Sequence, residues 1–183
     1  MAQKKGETLQ DYKKFQKQLN RQDFVNRFDH PFLVFDRETG DRETDKQGFT
    51  TKRLNPSQMA GIMKKALMKT VSSKTVKVVK TGTNIFQGSV NIGRVSNCDV
   101  MIDSPVISKL HAFFTKNLKS RTYNITDANS TNGTYVNDVK LELNEKKLLH
   151  DGDIISFGRQ LNISFYTPEG CYDLLKQVSN EKK

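Results

Sequence analysis

The sequence predicts an all-β sandwich of mainly antiparallel strands, preceded by a mixed helix and strand extension and closed by a short C-terminal helix. Three observations carry this reading. Short apolar and β-branched segments recur at close intervals from Val71 to Tyr166. Polar turn clusters such as Thr81-Gly82-Thr83-Asn84, Asn129–Gly133 and Asp151-Gly152 separate them, and no helical period runs through this stretch. Helical spacing is confined to the regions before residue 71 and after residue 166. The chain therefore divides into a basic N-terminal extension (1–70), a sandwich domain (71–170) and a C-terminal helix and tail (171–183).

Taken in order, residues 7–20 place Leu9, Tyr12, Phe15 or Gln16, and Leu19 three or four apart with lysines between, which predicts an amphipathic helix. Phe24-Val25 and Phe28 follow. The run Pro31-Phe32-Leu33-Val34-Phe35 reads as a strand that ends in the turn chemistry of Asp36–Gly40. Residues 36–48 repeat Arg-Glu-Thr and offer almost nothing to bury, so they read as an exposed loop. Asn55-Pro56 is a helix start, and Met59, Ile62, Met63, Ala66 and Leu67 share one face of a second helix ending near Thr70.

Strands are then expected at Thr75–Lys80, Gly88–Ile92, Val100–Ile102, Ala112–Lys116, Thr122–Thr126, Thr134–Val136, Glu142–Leu143, Asp153–Phe157 and Leu161–Tyr166. Thr167-Pro168-Glu169 caps a short helix carrying Leu174 and Leu175. The charged tail that ends the chain is expected to be disordered.

At 183 residues the chain accommodates one sizeable domain plus an extension. No window approaches the ~18 uninterrupted apolar residues of a spanning helix. The N-terminus has no apolar core after its lysines and is no secretory signal, so a cytoplasmic protein is expected. Cys98 and Cys171 form neither a CxxC pair nor a disulfide framework and read as reduced thiols. The net charge of +10 is unevenly spread: residues 1–74 hold 16 Lys/Arg against 9 Asp/Glu, whereas residues 75–170 hold 11 against 9. A nucleic-acid or anionic-surface partner would therefore bind the extension, but no basic stripe interleaved with aromatics supports one.

Catalytic chemistry finds little footing. His30, His111 and His150 stand far apart, outside any metal-ligand spacing, and neither a phosphate-cradling Gly-rich loop nor a GxSxG elbow is present. Asp151 and Asp153 flank Gly152 and read as organisers of a turn. We expect no catalytic residue, no metal and no cofactor. Recognition chemistry is concentrated instead in Gly93-Arg94, in Ser108-Lys109-Leu110-His111, and in Asn129–Thr134. Arg94 ends an apolar segment and offers a planar fork suited to phosphate or carboxylate. Ser108 and Thr131 supply hydroxyls, Lys109 a mobile charge, and Asn132 an amide able to hold peptide backbone through both donor and acceptor.

The joint order of these blocks closely resembles the forkhead-associated (FHA) domain. That family runs G-R, then S-R/K-x-H-A, then N-S/T-x-N-G-T-x-V-N, then L-x-x-G-D-x-I-x-F-G. Here the blocks stand as Gly93-Arg94, Ser108-Lys109-Leu110-His111-Ala112, Ser130–Asn137 and Leu149–Gly158. The likeness covers residues 75–167 and does not extend to residues 1–70.

The resemblance implies a sandwich of about eleven strands that binds phosphothreonine peptides at one end. By position, Arg94 and Ser108 would hold the phosphate, Lys109 and Thr131 would assist, and Asn132 would fix the peptide backbone. Gly93, His111, Gly133 and Asn137 would support the loop shapes. Lys109 puts a point charge where the family often has an arginine fork. The implied partner is a phosphothreonine protein, a Ser/Thr kinase or its substrate. Thr50 or Thr51 in the extension is a candidate regulatory phosphosite that could occupy the site in cis, as tails of some bacterial relatives do, with Thr39 and Thr44 as further candidates. A phosphate-independent scaffold in a larger assembly is the alternative within binding modules.

Overall fold

The computed structural model describes residues 7–35, 73–82, 86 and 88–180. The expected loop at 36–48, the helix at 56–69, Thr39, Thr44, Thr50, Thr51 and the tail after Asn180 lie outside the described residues.

Two sheets face each other. The strands are β1 (Phe32–Phe35), β2 (Thr75–Lys77), β3 (Val90–Gly93), β4 (Val100–Met101), β5 (Ala112–Asn117), β6 (Thr122–Asp127), β7 (Thr134–Val136), β8 (Val139–Lys140), β9 (Lys147–Leu149), β10 (Ile154–Phe157) and β11 (Leu161–Tyr166). One sheet has the order β2-β1-β11-β10-β7-β8, the other β4-β3-β5-β6-β9. All the pairings are antiparallel except β3 with β4, where Ile92 faces Val100. The expected mainly antiparallel sandwich of about eleven strands is what forms.

Alternation along the strands builds the core between the sheets. Phe114 and Ile125 face each other across β5 and β6, while Ile155 and Ile163 do so across β10 and β11. These side chains are buried together with Ile92, Phe157 and Phe165. β1 departs from alternation because it is covered on both faces. Leu33 enters the central core, whereas Phe32 and Val34 enter a second cluster with Leu9, Tyr12, Phe24 and Leu175. A strand buried on both sides needs an unbroken apolar run, and Phe32–Phe35 is one.

That second cluster is roofed by three helices, α1 (Leu9–Gln18), α2 (Arg21–Arg27) and α3 (Pro168–Asn180). The face expected for α1 holds, with Leu9, Tyr12 and Gln16 buried. α2 was not expected: its seven residues are too short for a period, but Asn20 caps it by accepting the Asp23 N–H at 2.9 Å. α3 starts at Pro168, with Thr167 Oγ1 accepting the Gly170 N–H at 3.1 Å.

Two expectations change. The strand assigned to the N-terminal extension is an inner strand of the sandwich, since β1 lies between β2 and β11. Glu142–Leu143 forms no strand. Leu143 is 67% exposed, Asn144 has φ of +63°, and Glu145 N–H bonds to the Glu142 carbonyl at 3.1 Å, so this segment is a turn between β8 and β9.

Candidate functional site

Three loops meet at one end of the sandwich, and backbone geometry draws them together. Gly93 ends β3 with its Cα against the β4–β5 loop. A Cβ there would lie 2.1 Å from the Lys109 carbonyl oxygen and 2.8 Å from Cys98 Sγ, so only glycine allows the approach. The next residue, Arg94, bonds through its N–H to the Ser108 carbonyl at 3.1 Å, while its side chain is exposed. The buried Cys98 thiol donates to the same Lys109 carbonyl at 3.3 Å.

Ser108 joins this loop to the β6–β7 loop. Its Oγ accepts the Thr131 N–H at 3.0 Å and donates weakly to Thr131 Oγ1 at 3.4 Å. His111, fully buried, is the second tie. Its Nδ1 accepts the Ser108 N–H at 3.0 Å, so Nε2 carries the proton and donates to the Gly133 carbonyl at 3.3 Å. The ring packs edge-on against Phe157 at 4.9 Å. Burial lowers the affinity of His111 for a second proton, outweighing the Gly133 bond and the nearby Asp127 charge.

The β6–β7 loop is held from below by Asp127. Its carboxylate accepts the Ser130 N–H at 2.9 Å, the Ser130 hydroxyl at 2.7 Å and the Thr134 hydroxyl at 2.6 Å. Burial would raise its pKa, but these bonds prevail and hold the carboxyl below its ordinary range. Ser130 Oγ then accepts the Gly133 N–H at 3.0 Å, and Gly133 turns the chain with φ of +79°. Thr131 and Asn132 are thereby presented on an exposed tip.

Asn132 donates through Nδ2 to the Val106 carbonyl at 2.9 Å, which fixes its amide between two loops. Gly158 lies against its base: a Cβ at Gly158 would come 2.8 Å from Asn132 Cβ. The structure thus brings Arg94, Ser108, Lys109, Thr131 and Asn132 onto neighbouring loops, with Gly93, His111 and Gly133 beneath them. Asn137 stands apart at the other end of β7. There its side chain accepts the Ile154 N–H at 2.9 Å and donates to Asp153 at 2.8 Å, so it shapes the β7–β8 turn.

Asp127, Ser130, Cys98 and Gly158 support these loops; Ser130 and Gly158 stand inside the motif blocks and Cys98 reads as a reduced thiol, but none of the four is given a site role by the sequence. Asp127 and Ser130 stand three apart, the spacing of a side chain capping a turn, which is the signal that could have found them. Chemically the surface offers one guanidinium and one ammonium, both exposed and without an ion pair among the described residues, beside two hydroxyls and an amide. Among the described residues no group of three His, Cys, Asp or Glu could hold a metal ion, and no helix is long and apolar enough to cross a membrane.

The chain is 31% identical over 127 residues to the DNA damage response protein kinase DUN1 of Saccharomyces cerevisiae, covering 64% of this chain and 24% of that one. It is 33% identical over 88 residues to the glycogen accumulation regulator GarA of Mycobacterium tuberculosis, covering 45% and 51%. The chain therefore spans about half or less of the length of these relatives. Among solved structures, Mycobacterium tuberculosis EmbR in complex with a low-affinity phosphopeptide is 28% identical, with a TM-score of 0.39 and coverage of 44% and 20%. The FHA domain family model matches residues 90–158, a span that holds all the loops just described.

Proposed function

We propose that this chain binds phosphothreonine peptides, without catalysis, as an interaction module in Ser/Thr-kinase signalling. The observation that carries the reading is the Ser108–Thr131 pair. The Ser108 hydroxyl keeps its acceptor role toward the Thr131 N–H, while its own proton rests in a long 3.4 Å contact. A phosphate oxygen replaces that weak contact without disturbing the loop. Arg94, anchored beside Ser108 by its backbone, supplies the planar charged fork, and Lys109 adds a second cation.

A phosphothreonine brings a charge of about −1.5 to −2 and several strong acceptors, which these groups complement. Asn132 uses one amide proton on Val106, leaving its second proton and its oxygen for the backbone of a bound peptide. A few charge-assisted hydrogen bonds of ~1.5–3 kcal/mol each, offset by peptide ordering, give affinity of roughly micromolar order. The kinase identity of DUN1 supports placing this interaction in protein-kinase signalling, with a phosphorylated kinase or substrate as the partner.

Calorimetric titration of wild type and Arg94→Ala with a phosphothreonine peptide and its unphosphorylated twin tests the reading. Wild type should bind only the phosphorylated form, and Arg94→Ala should lose binding while its far-UV circular dichroism is unchanged. Equal binding of both peptides would instead favour a phosphate-independent scaffold. Salt-sensitive binding of nucleic acid in place of peptide would favour the basic extension as the functional surface.

A further inference from the structure

A cleft of about 740 Å³ opens in the helical roof, between α1 and the corner where α2 leads into β1. It lies away from the recognition loops. β11 leaves the turn that carries Gly158 and ends at Tyr166, where Phe32 and, beyond it, Lys77 lie alongside. The apolar lining is Tyr12, Phe15 and Phe28, and both Tyr12 and Phe15 pack edge-on against Phe28 with ring centroids 5.3 Å apart. The cations of the cleft are Lys14, Arg27 and Lys77.

These cations are not equivalent. Lys77 is held 3.0 Å from the Glu7 carboxylate, which also accepts the Tyr12 hydroxyl. Lys14 and Arg27 instead converge on one ring, with the ammonium 4.9 Å and the guanidinium 4.7 Å from the Phe15 centroid. Both are exposed, and neither makes an ion pair among the described residues. The other acid of the cleft, Asp11, accepts the Thr8 N–H at 2.8 Å and the Thr8 hydroxyl at 3.0 Å, so it is aimed at the start of α1.

An aromatic ring engages the face of a guanidinium and leaves its edge N–H donors to solvent. The cleft therefore offers an anion two cations at one point, beside the half-exposed rings of Phe15 and Phe28. A nucleic-acid backbone calls for cations strung along a line, whereas a point charge next to apolar surface suits a carboxylate with an apolar neighbour. We infer that this cleft is a second docking site, which takes an acidic protein segment carrying an aromatic or large aliphatic side chain beside its carboxylates. The carboxylates pair with Lys14 and Arg27, and the apolar side chain packs on Phe15 and Phe28. No residue is shared with the phosphothreonine reading, so either can stand without the other.

Fluorescence anisotropy on the full chain tests this with three pools of labelled, unphosphorylated peptides of about ten residues. The first fixes a phenylalanine and two glutamates at varied spacing; the second replaces the glutamates by glutamine, and the third replaces the phenylalanine by serine. Wild type should bind the first pool about five- to tenfold more tightly than the second, the scale of two exposed ion pairs. The third pool should also bind more weakly than the first, as apolar contact is lost. Lys14→Gln/Arg27→Gln should abolish the preference for glutamate with its far-UV circular dichroism and phosphothreonine-peptide affinity unchanged. Arg94→Ala should retain that preference.

No glutamate preference in wild type overturns the docking site, as does one that survives in Lys14→Gln/Arg27→Gln and disappears in Arg94→Ala. Indifference to the serine exchange, or tighter binding of a single-stranded oligonucleotide that the double variant loses, overturns the assignment of a protein segment. Wild type that ignores phosphothreonine yet keeps the glutamate preference overturns only the earlier reading.

Discussion

Ser108 and His111 form a closed pair. The Ser108 N–H is received by His111 Nδ1 at 3.0 Å, while the Ser108 hydroxyl reaches across to Thr131, so one residue is held from below and holds its neighbour above. The loops stay together through a buried ring and one hydroxyl, which locates the mutations that should separate stability from recognition.

Ser108→Ala removes the acceptor of the Thr131 N–H, which is exposed and turns to water. Stability should fall by only about 0.5–1 kcal/mol. Phosphopeptide affinity should fall about tenfold or more, because both a phosphate donor and the loop's register are lost. Urea denaturation and calorimetric titration on the same protein check the split.

His111 sets the direction of a pH dependence. Burial lowers its pKa in the folded protein, so the unfolded chain takes up its proton first, near the ordinary value of about 6.5. The contribution of the neutral ring is fully present above that value and is lost as pH falls through the folded pKa. Denaturation midpoints should drop between pH 7 and pH 5, with this group contributing a slope of at most about 1.4 kcal/mol per pH unit. His111→Gln should be less stable at pH 7 and should flatten that part of the curve.

Gly93→Ala drives a methyl group into the Lys109 carbonyl, since the Cβ would lie 2.1 Å from that oxygen. Backbone must move, at a cost of about 1–3 kcal/mol. The displaced segment carries Ser108 and Lys109, so binding should weaken even where the protein remains folded. Thermal denaturation with peptide titration at low temperature separates the two losses.

Asp151 marks the opposite case. Its carboxylate accepts the Thr167 hydroxyl at 3.0 Å and the Thr167 N–H, anchoring the start of α3 to the β9–β10 turn. Asp151→Ala should cost about 1–2 kcal/mol as this anchor goes. Phosphopeptide affinity should be unchanged, because the turn lies at the end of β10 remote from Gly158. Loss of binding in a folded Asp151→Ala protein would contradict this separation.

Most strands were legible because turn residues and alternation mark them locally, as at Ala112–Asn117 and Leu161–Tyr166. β8 and β9 were not, since Val139–Lys140 and Lys147–Leu149 are too short to alternate and take their geometry from β7 and β6. The place of β1 was hidden for a different reason: its neighbours are distant in sequence, and an apolar run names no partner. At the site, the residues with outward chemistry stood out as motifs. Cys98 did not, because it acts on the Lys109 carbonyl, which only the folded loops bring near; Asp127, three residues before the Ser130 N–H it accepts, left only the local spacing of a capped turn.

The position of β1 also dictates when the sandwich can be completed. Phe32, near the start of the described chain, takes Tyr166, near its end, as its partner. During synthesis β1, the first of the described strands, must wait for β11, the last of them, its apolar run meanwhile unpaired on one edge. Closure of the sheet is thus a long-range step that cannot occur before β11 has been made. A fragment trimmed to residues 90–158 would retain the recognition loops yet lack β1, β2 and β11, three strands of one sheet, and should not fold.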